Sequence, residues 1–399
     1  MKSYNKIFLV TTIFISITFS NDLLAQWNIA LQNISPPPNE LGISPNTNIT
    51  VTFDSSMDAA SLNDNTFIIF ASQSGFHNGI ISYDSITKTV TFNPTTDFFF
   101  GEVVTAILTT NIRTISGTKL SSSFAWSFTI GVSGGTGSFQ IDAEYGTISG
   151  VQSIYGGDLD NDGDIDLANA MVASFNNMVI LLNNGTGIFE QKQILTVGDT
   201  PRSIAGGDFD KDGDIDLVTA NTVSNDISIL LNSGNGNFEL NNTYNFNENP
   251  FFVLVNDFNG DGNQDIATAN RATNSVSILL NNGDGTFGIS GKYEISSSPR
   301  SLTTGDFNQD GSMDLAITNL ESNQVSLLLN NGDGTFQLDR VYSAGGLNSN
   351  PHFINAADIN GDHYLDLLIT NRGVDSVLVL QNRGNGTFFH NSSFDVGDE

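Results

Sequence analysis

A run of aspartates returns five times at nearly constant spacing, and this repetition restricts the possible folds more than any other feature of the chain. Residues 206–217 read GGDFDKDGDIDL, and the first aspartate, Asp208, has counterparts at Asp158, Asp257, Asp306 and Asp358. The steps are 50, 49, 49 and 52 residues. Such a period builds an array of like modules, each burying its apolar face against the next.

Numbered from its first aspartate, each loop carries side-chain oxygens at positions 1, 3, 5 and 9. These are Asp158, Asp160, Asp162 and Asp166 in the first copy and Asp208, Asp210, Asp212 and Asp216 in the second. The third has Asp257, Asn259, Asp261 and Asp265, the fourth Asp306, Asn308, Asp310 and Asp314, and the fifth Asp358, Asn360, Asp362 and Asp366. Alternate residues of a tight loop can converge on one centre, and carboxylates with no basic partner repel unless a hard cation lies among them. Calcium suits this donor set, since it accepts six to eight oxygens in a flexible shell, whereas magnesium prefers fewer protein ligands. Glycine at position 6 allows a positive φ and turns a main-chain carbonyl inward at position 7. Position 7 is Asp164, Asp214, Asn263, Ser312 and Tyr364 in the five copies. The fifth copy has His363 in place of the glycine, which leaves its occupancy open. A single copy could be a polar turn that holds no ion, but turn propensity alone does not demand a fixed ninth aspartate.

An EF-hand would need glutamate at position 12 and flanking helices. Position 12 is instead Asn169, Thr219, Thr268, Ile317 and Ile369. After each loop come short apolar runs such as DLVTAN and DISILLN, separated by Asn-Gly turns that signal hairpins. Each repeat therefore holds about four short strands, the content of one propeller blade. The aspartate loops and the NNGDGTF turns at 281–287 and 330–336 resemble the FG-GAP or VCBS-type repeats of integrin-like β-propellers and many secreted bacterial proteins. The resemblance covers residues 134–399. It implies a calcium-binding propeller of about five repeats, with calcium loops between the first and second strands of each blade, and it implies no particular activity.

The chain opens with Lys2, Lys6 and an apolar run over 7–19, the pattern of a secretory signal peptide ending at Ala25 or, second, at Ser20. A retained N-terminal anchor is the other reading. With no cysteine, a secreted protein must rely on its core or on metal for stability. The formal charge of −29, from 14 basic and 43 acidic residues, argues against nucleic acid or an anionic membrane as partner. Alternating runs at 49–53 (ITVTF), 66–70 (TFIIF), 89–92 (TVTF) and 125–130 (AWSFTI) predict a β-sandwich. Residues 49–62 and 88–94, with the WSFTIG ending, resemble a bacterial Ig-like domain spanning 30–131, a module that serves as a spacer or stalk. A Gly/Ser link at 131–138 leads into the propeller region, 132–399.

Six turns of the G-x-G-x-F kind end at Phe139, Phe189, Phe238, Phe287, Phe336 and Phe388, one more than the loops. A five-bladed ring closed by residues 140–145, a ring with a degenerate blade and an incomplete chain are the options, in that order. The expected fold is thus all-β, an Ig-like sandwich followed by a propeller. The expected role is a secreted or cell-surface protein for adhesion or for recognition of a glycan or extracellular protein, with no membrane insertion after signal removal and no catalysis. A polysaccharide lyase or hydrolase and a purely structural envelope component are the alternatives. His77, His352, His363 and His390 form no catalytic spacing, and the sequence shows no convincing catalytic set. Arg202, Arg271, Arg300 and Arg372 recur near strand ends. They either line a ligand face or pair with neighbouring aspartates.

Overall fold

Period-two alternation and closely spaced turns make this an all-β chain. The computed structural model describes residues 29–120, 123–132, 150–172, 177–245 and 247–397. The signal peptide, most of the Gly/Ser link and the 140–145 segment lie outside them.

Two sheets form the N-terminal sandwich. One orders β1 (Ile29–Ser35), β2 (Ile49–Phe53), β6 (Thr89–Pro94) and β5 (Gly79–Asp84) as β1-β2-β6-β5. The other orders β3 (Phe67–Ala71), β4 (Gly75–Phe76), β7 (Val103–Leu108) and β8 (Phe124–Thr129) as β4-β3-β7-β8. Inward residues of both sheets, Phe53, Phe67, Phe92, Trp126 and Phe128 among them, form one core. Trp126 fits there because its indole N–H has a partner, the carbonyl of Pro36 at 3.1 Å.

Each repeat then folds into one four-stranded antiparallel blade. The innermost strands are β9 (Val151–Gly157), β13 (Pro201–Gly207), β17 (Pro250–Asn256), β21 (Pro299–Gly305) and β25 (Pro351–Ala357), and they pack side by side in chain order. Proline opens four of them, at the one strand position where a missing N–H costs no ladder bond. The second strands are β10 (Asp166–Met171), β14 (Asp216–Asn221), β18 (Asp265–Asn270), β22 (Asp314–Asn319) and β26 (Asp366–Asn371). Third come β11 (Asn177–Asn183), β15 (Asp226–Asn232), β19 (Ser275–Asn281), β23 (Gln324–Asn330) and β27 (Ser376–Asn382). The outer strands are β12 (Phe189–Thr196), β16 (Phe238–Asn245), β20 (Phe287–Glu294), β24 (Phe336–Ser343) and β28 (Phe388–Asp395). In the three middle blades the second strand is buried throughout, because neighbouring blades cover both of its faces, whereas the outer strand is mostly exposed. The fifth blade is completed by its own β28, so residues 388–395 are neither left over nor paired elsewhere.

One joint recurs between blades. The apolar residue at loop position 2 packs against the turn phenylalanine of the next blade: Phe209 on Phe287 (ring centroids 5.3 Å), Phe258 on Phe336 (5.6 Å) and Phe307 on Phe388 (5.6 Å), each edge to face. Leu159 shares a core cluster with Phe238 in the same way. All four position-2 residues are at most 1% exposed, but the fifth, Ile359, is 46% exposed. Among the described residues, then, the first blade does not cover the fifth as each other blade covers its predecessor.

Candidate metal centres

Each aspartate loop joins the first and second strands of its blade, and backbone N–H groups draw it tight. The position-1 carboxylate accepts the position-6 N–H in all five copies: Gly163 to Asp158 (3.1 Å), Gly213 to Asp208 (3.0 Å), Gly262 to Asp257 (2.8 Å), Gly311 to Asp306 (2.9 Å) and His363 to Asp358 (2.8 Å). Position 3 accepts the N–H of position 5, and position 5 accepts that of position 7. The glycines at position 6 need their freedom, with φ between +83° at Gly262 and +97° at Gly213. His363 takes the same turn at φ +67°, so the fifth loop keeps its shape without glycine.

Carboxylates of positions 1, 3 and 9 converge in the first two loops, Asp158 with Asp160 and Asp166, and Asp208 with Asp210 and Asp216, their oxygens within 4.8 Å of one another. In the other three loops, position 3 is an asparagine whose amide donates to the position-5 carboxylate: Asn259 to Asp261 (3.0 Å), Asn308 to Asp310 (2.8 Å) and Asn360 to Asp362 (2.8 Å). The last three loops thus carry one carboxylate fewer and an amide hydrogen bond in its place, while their remaining aspartates still repel one another. Position-7 side chains lie against a turn glycine of the same blade, Asp164 by Gly185, Asp214 by Gly234, Asn263 by Gly283, Ser312 by Gly332 and Tyr364 by Gly384. Asp214 also accepts a hydrogen bond across the blade boundary, from Asn161 at 2.7 Å.

The ninth aspartate has a second task. Its Oδ2 accepts the position-2 N–H, and its Oδ1 accepts the N–H of the asparagine that ends the third strand. Asp216, for example, takes Phe209 at 2.8 Å and Asn232 at 2.7 Å, and Asp265 takes Phe258 at 2.9 Å and Asn281 at 2.8 Å. Burial pushes Asp216 and Asp265 up to about 8, and Asp257 and Asp306 up to about 7, with neighbouring loop carboxylates adding to the shift. A buried carboxylate cluster that holds protons so tightly is a poor anion on its own and a ready ligand for a cation that replaces them.

Sequence reasoning missed that asparagine. Asn232, Asn281, Asn330 and Asn382 each donate from Nδ2 to the position-8 carbonyl of their own loop and to the position-2 carbonyl of the preceding blade, at Leu159 (2.8 Å), Phe209 (3.0 Å), Phe258 (2.8 Å) and Phe307 (2.9 Å). Its only signal is a constant distance of 16 or 17 residues from the ninth aspartate. The bond that Asn183 makes from this position is to Ile165 in its own loop, at 3.2 Å.

The sandwich rests on this loop end. Ala125 donates to Gly311 at 3.2 Å, Asn39 to the carbonyl of His363 at 3.1 Å, and Asp158 N–H to Gln73 at 3.1 Å, while Ser123 and Ile68 crowd Gly260 and Gly262. A cavity of about 270 Å3 lies between them, with Leu41, Trp126, Asn256, Asp306 and Asp358 in its wall. Elsewhere in the sandwich, Ser74, His77 and Glu102 meet, but His77 Nε2 (2.7 Å) and Glu102 both address the Ser74 hydroxyl. His77 Nδ1 is buried with no partner among the described residues, and burial pushes the imidazole down to about 4. A serine nucleophile needs a base held by a third group at its other nitrogen, and Glu102 does not fill that place, since it addresses the same hydroxyl.

Blades with aspartate loops between their first two strands, set behind an Ig-like sandwich, define a β-propeller protein with candidate metal loops. Sequence comparison is specific on both parts: residues 170–219, 257–317 and 306–369 match the FG-GAP-like repeat and residues 25–130 match the bacterial Ig-like domain, so the chain carries FG-GAP-like repeats behind a bacterial Ig-like domain. No curated protein matches by sequence. Among solved structures, a protein from Lactobacillus plantarum is similar at 13% identity and TM-score 0.51, over 83% of this chain and 82% of its own. An Agrocybe aegerita lectin described as recognising non-reducing terminal N-acetylglucosamine matches at 18% identity and TM-score 0.47, over 85% and 92%. A 6-phosphogluconolactonase-like protein from Bacteroides uniformis matches at 14% and 0.48, over 84% and 97%. The likeness to the Lactobacillus plantarum protein, at 13% identity, is one of fold alone.

Proposed function

We propose that this is a secreted or surface-held calcium-binding protein that recognises a glycan or an extracellular protein and carries out no catalysis. The supporting observation is the set of five loops with one hydrogen-bond pattern, four of them placing carboxylates at positions 1 and 9 beside a blade joint. Asp158, Asp160, Asp162 and Asp166, with the Asp164 carbonyl, would hold the first ion, and the same positions would serve in the other loops. Bound calcium supplies the positive charge that lets these carboxylates stay ionised while buried. Extracellular modules bind it with dissociation constants of about 0.1–1 mM, so the loops would fill outside a cell and empty in a cytosol.

The bacterial Ig-like domain points to the same compartment, and among the described residues no helix is long and apolar enough to cross a membrane. Binding of the signal-free protein to a broad glycan array, in millimolar calcium and in chelator, tests the reading. Calcium-dependent capture of one sugar class is the expected result. Folded protein that binds no sugar in calcium would shift the role to a protein partner or a structural one, and turnover of a bound polysaccharide would establish the enzyme alternative.

A further inference from the structure

At the end of the inner strands away from the loops, the second residue of each strand is basic, polar or aromatic: Gln152, Arg202, Phe251, Arg300 and His352. Arg202 and Arg300 lie over the one ring of Phe251, their guanidinium carbons 5.1 and 4.2 Å from its centroid. Arg202 also donates to Gln152 at 3.1 Å, while its Nε is buried with no partner among the described residues. Arg300 donates through Nε and Nη2 to Nε2 of His352, at 3.2 and 2.8 Å. Two further arginines follow the second strands of the third and fifth blades. Arg271 donates to Ser298 at 3.1 Å, and Arg372 lies in the wall of an open cleft with His352 and Asp375.

Four guanidiniums thus gather in a chain that is otherwise strongly acidic. The carboxylates around Arg202, Arg271 and Arg300 do little to neutralise these three. Glu321 stands 4.0 Å from Arg271 and is largely exposed, Glu248 is held by Lys292 at 2.6 Å, and Arg202 and Arg300 have no ion pair among the described residues. Burial and the charges of Arg271, Arg202 and Arg372 bring Arg300 down to about 10, and burial with the charges of Arg300 and Arg372 lowers His352. Like charges kept together disfavour one another, and an anion arriving at the group relieves that cost. Arginine adds a planar fork that matches carboxylate and sulfate oxygens in pairs.

We propose that this end of the blade array binds the acidic group of a sugar, a uronate carboxylate or a sugar sulfate, on Arg202, Arg300 and Arg271, with the sugar ring against Phe353. Phe353 is 47% exposed and meets Phe252, two blades away, at 6.2 Å, so the residues that follow Phe251 and His352 in their strands form an aromatic pair. The inference rests on the recognition role proposed above and names its ligand class.

Titration calorimetry of the full chain in 2 mM calcium, with a galacturonate oligomer, dextran sulfate, neutral dextran, inorganic sulfate and a single-stranded DNA oligonucleotide, decides it. One or both acidic sugars should bind, neutral dextran should not, and raising salt should weaken the complex. Arg300→Gln and Arg202→Gln should each weaken it about tenfold, the order expected for loss of a hydrogen bond to a charged group, whereas Lys292→Gln should leave it unchanged. Uronate and sulfate arms identify the acid. Equal binding of neutral dextran, of sulfate ion alone or of DNA, no binding at all, or indifference to the arginine substitutions would overturn the site. Should Arg300→Gln fail to fold, Arg202→Gln and Arg271→Gln give the same reading. Capture of neutral sugars on the array with no response here would defeat this site and spare the recognition role, and silence in both would defeat this site and glycan recognition together.

Discussion

The two ends of the blade array carry opposite charge and hold it by opposite means. At the loop end, aspartates are fixed by backbone N–H groups inside each blade and lie under the sandwich; at the other end, arginines come from separate blades and touch side chains of their neighbours. Charge at the loop end is part of the framework, because the residues that carry it also join the blades. At the arginine end the charged groups meet neighbouring blades through side chains alone. A stability change should therefore follow the aspartates and a ligand-binding change the arginines.

The largest expected effect is loss of calcium. With free calcium tenfold over the dissociation constant, each loop gains about 1.4 kcal/mol, or roughly 7 kcal/mol for five, so calorimetric melting in chelator should fall well below melting in calcium. Equal melting temperatures would remove the metal from the account. Next is the joint. Phe307→Ala should cost about 3–5 kcal/mol in urea unfolding, as for a buried phenylalanine, while Ile359→Ala at the same loop position should cost less than about 1 kcal/mol because its side chain is half exposed. Asn330→Ala, which strands the carbonyls of Phe258 and Met313, should cost about 1–3 kcal/mol.

A smaller effect comes from pH. Asp216 and Asp265, at about 8 in the folded metal-free protein against an ordinary 3.8, keep protons that the unfolded chain has released. Stability without metal is then greatest below about pH 4 for these groups and declines as pH rises to about 8. Calcium should flatten that slope, since it takes the protons' place, and melting curves at pH 5 and 8 with and without chelator check the sign. The smallest effect is expected for Arg300→Gln, within about 0.5 kcal/mol of the parent, since it removes one of several like charges; a large loss would make the arginine end part of the framework too.

The five aspartate loops and the blade count were legible because a tight loop needs its aspartates and its glycine at fixed offsets. Strands such as Ile49–Phe53 showed as alternation. Less legible were contacts that join distant repeats. Nothing local to Asn281 tells that its amide crosses to Phe209, and nothing local to Arg202 tells that it shares Phe251 with Arg300. The sequence allowed these arginines to pair with aspartates or to line a face, and only the third dimension places them beside one another. β5 (Gly79–Asp84) and β7 (Val103–Leu108) also escaped notice, the first because its apolar residues are partly exposed and the second because Val103 and Val104 differ in burial without differing in kind.

Every blade is built from four consecutive strands of one repeat, with no strand lent to a neighbour. The unit copied when such a gene segment duplicates is therefore the unit that folds, and it arrives with half of a joint on each side. Lineages could lengthen or shorten the array by whole repeats of about 50 residues while leaving every remaining joint as it was. Divergence would then be freest at the arginine end, where a substitution changes what is recognised without disturbing how the blades are assembled.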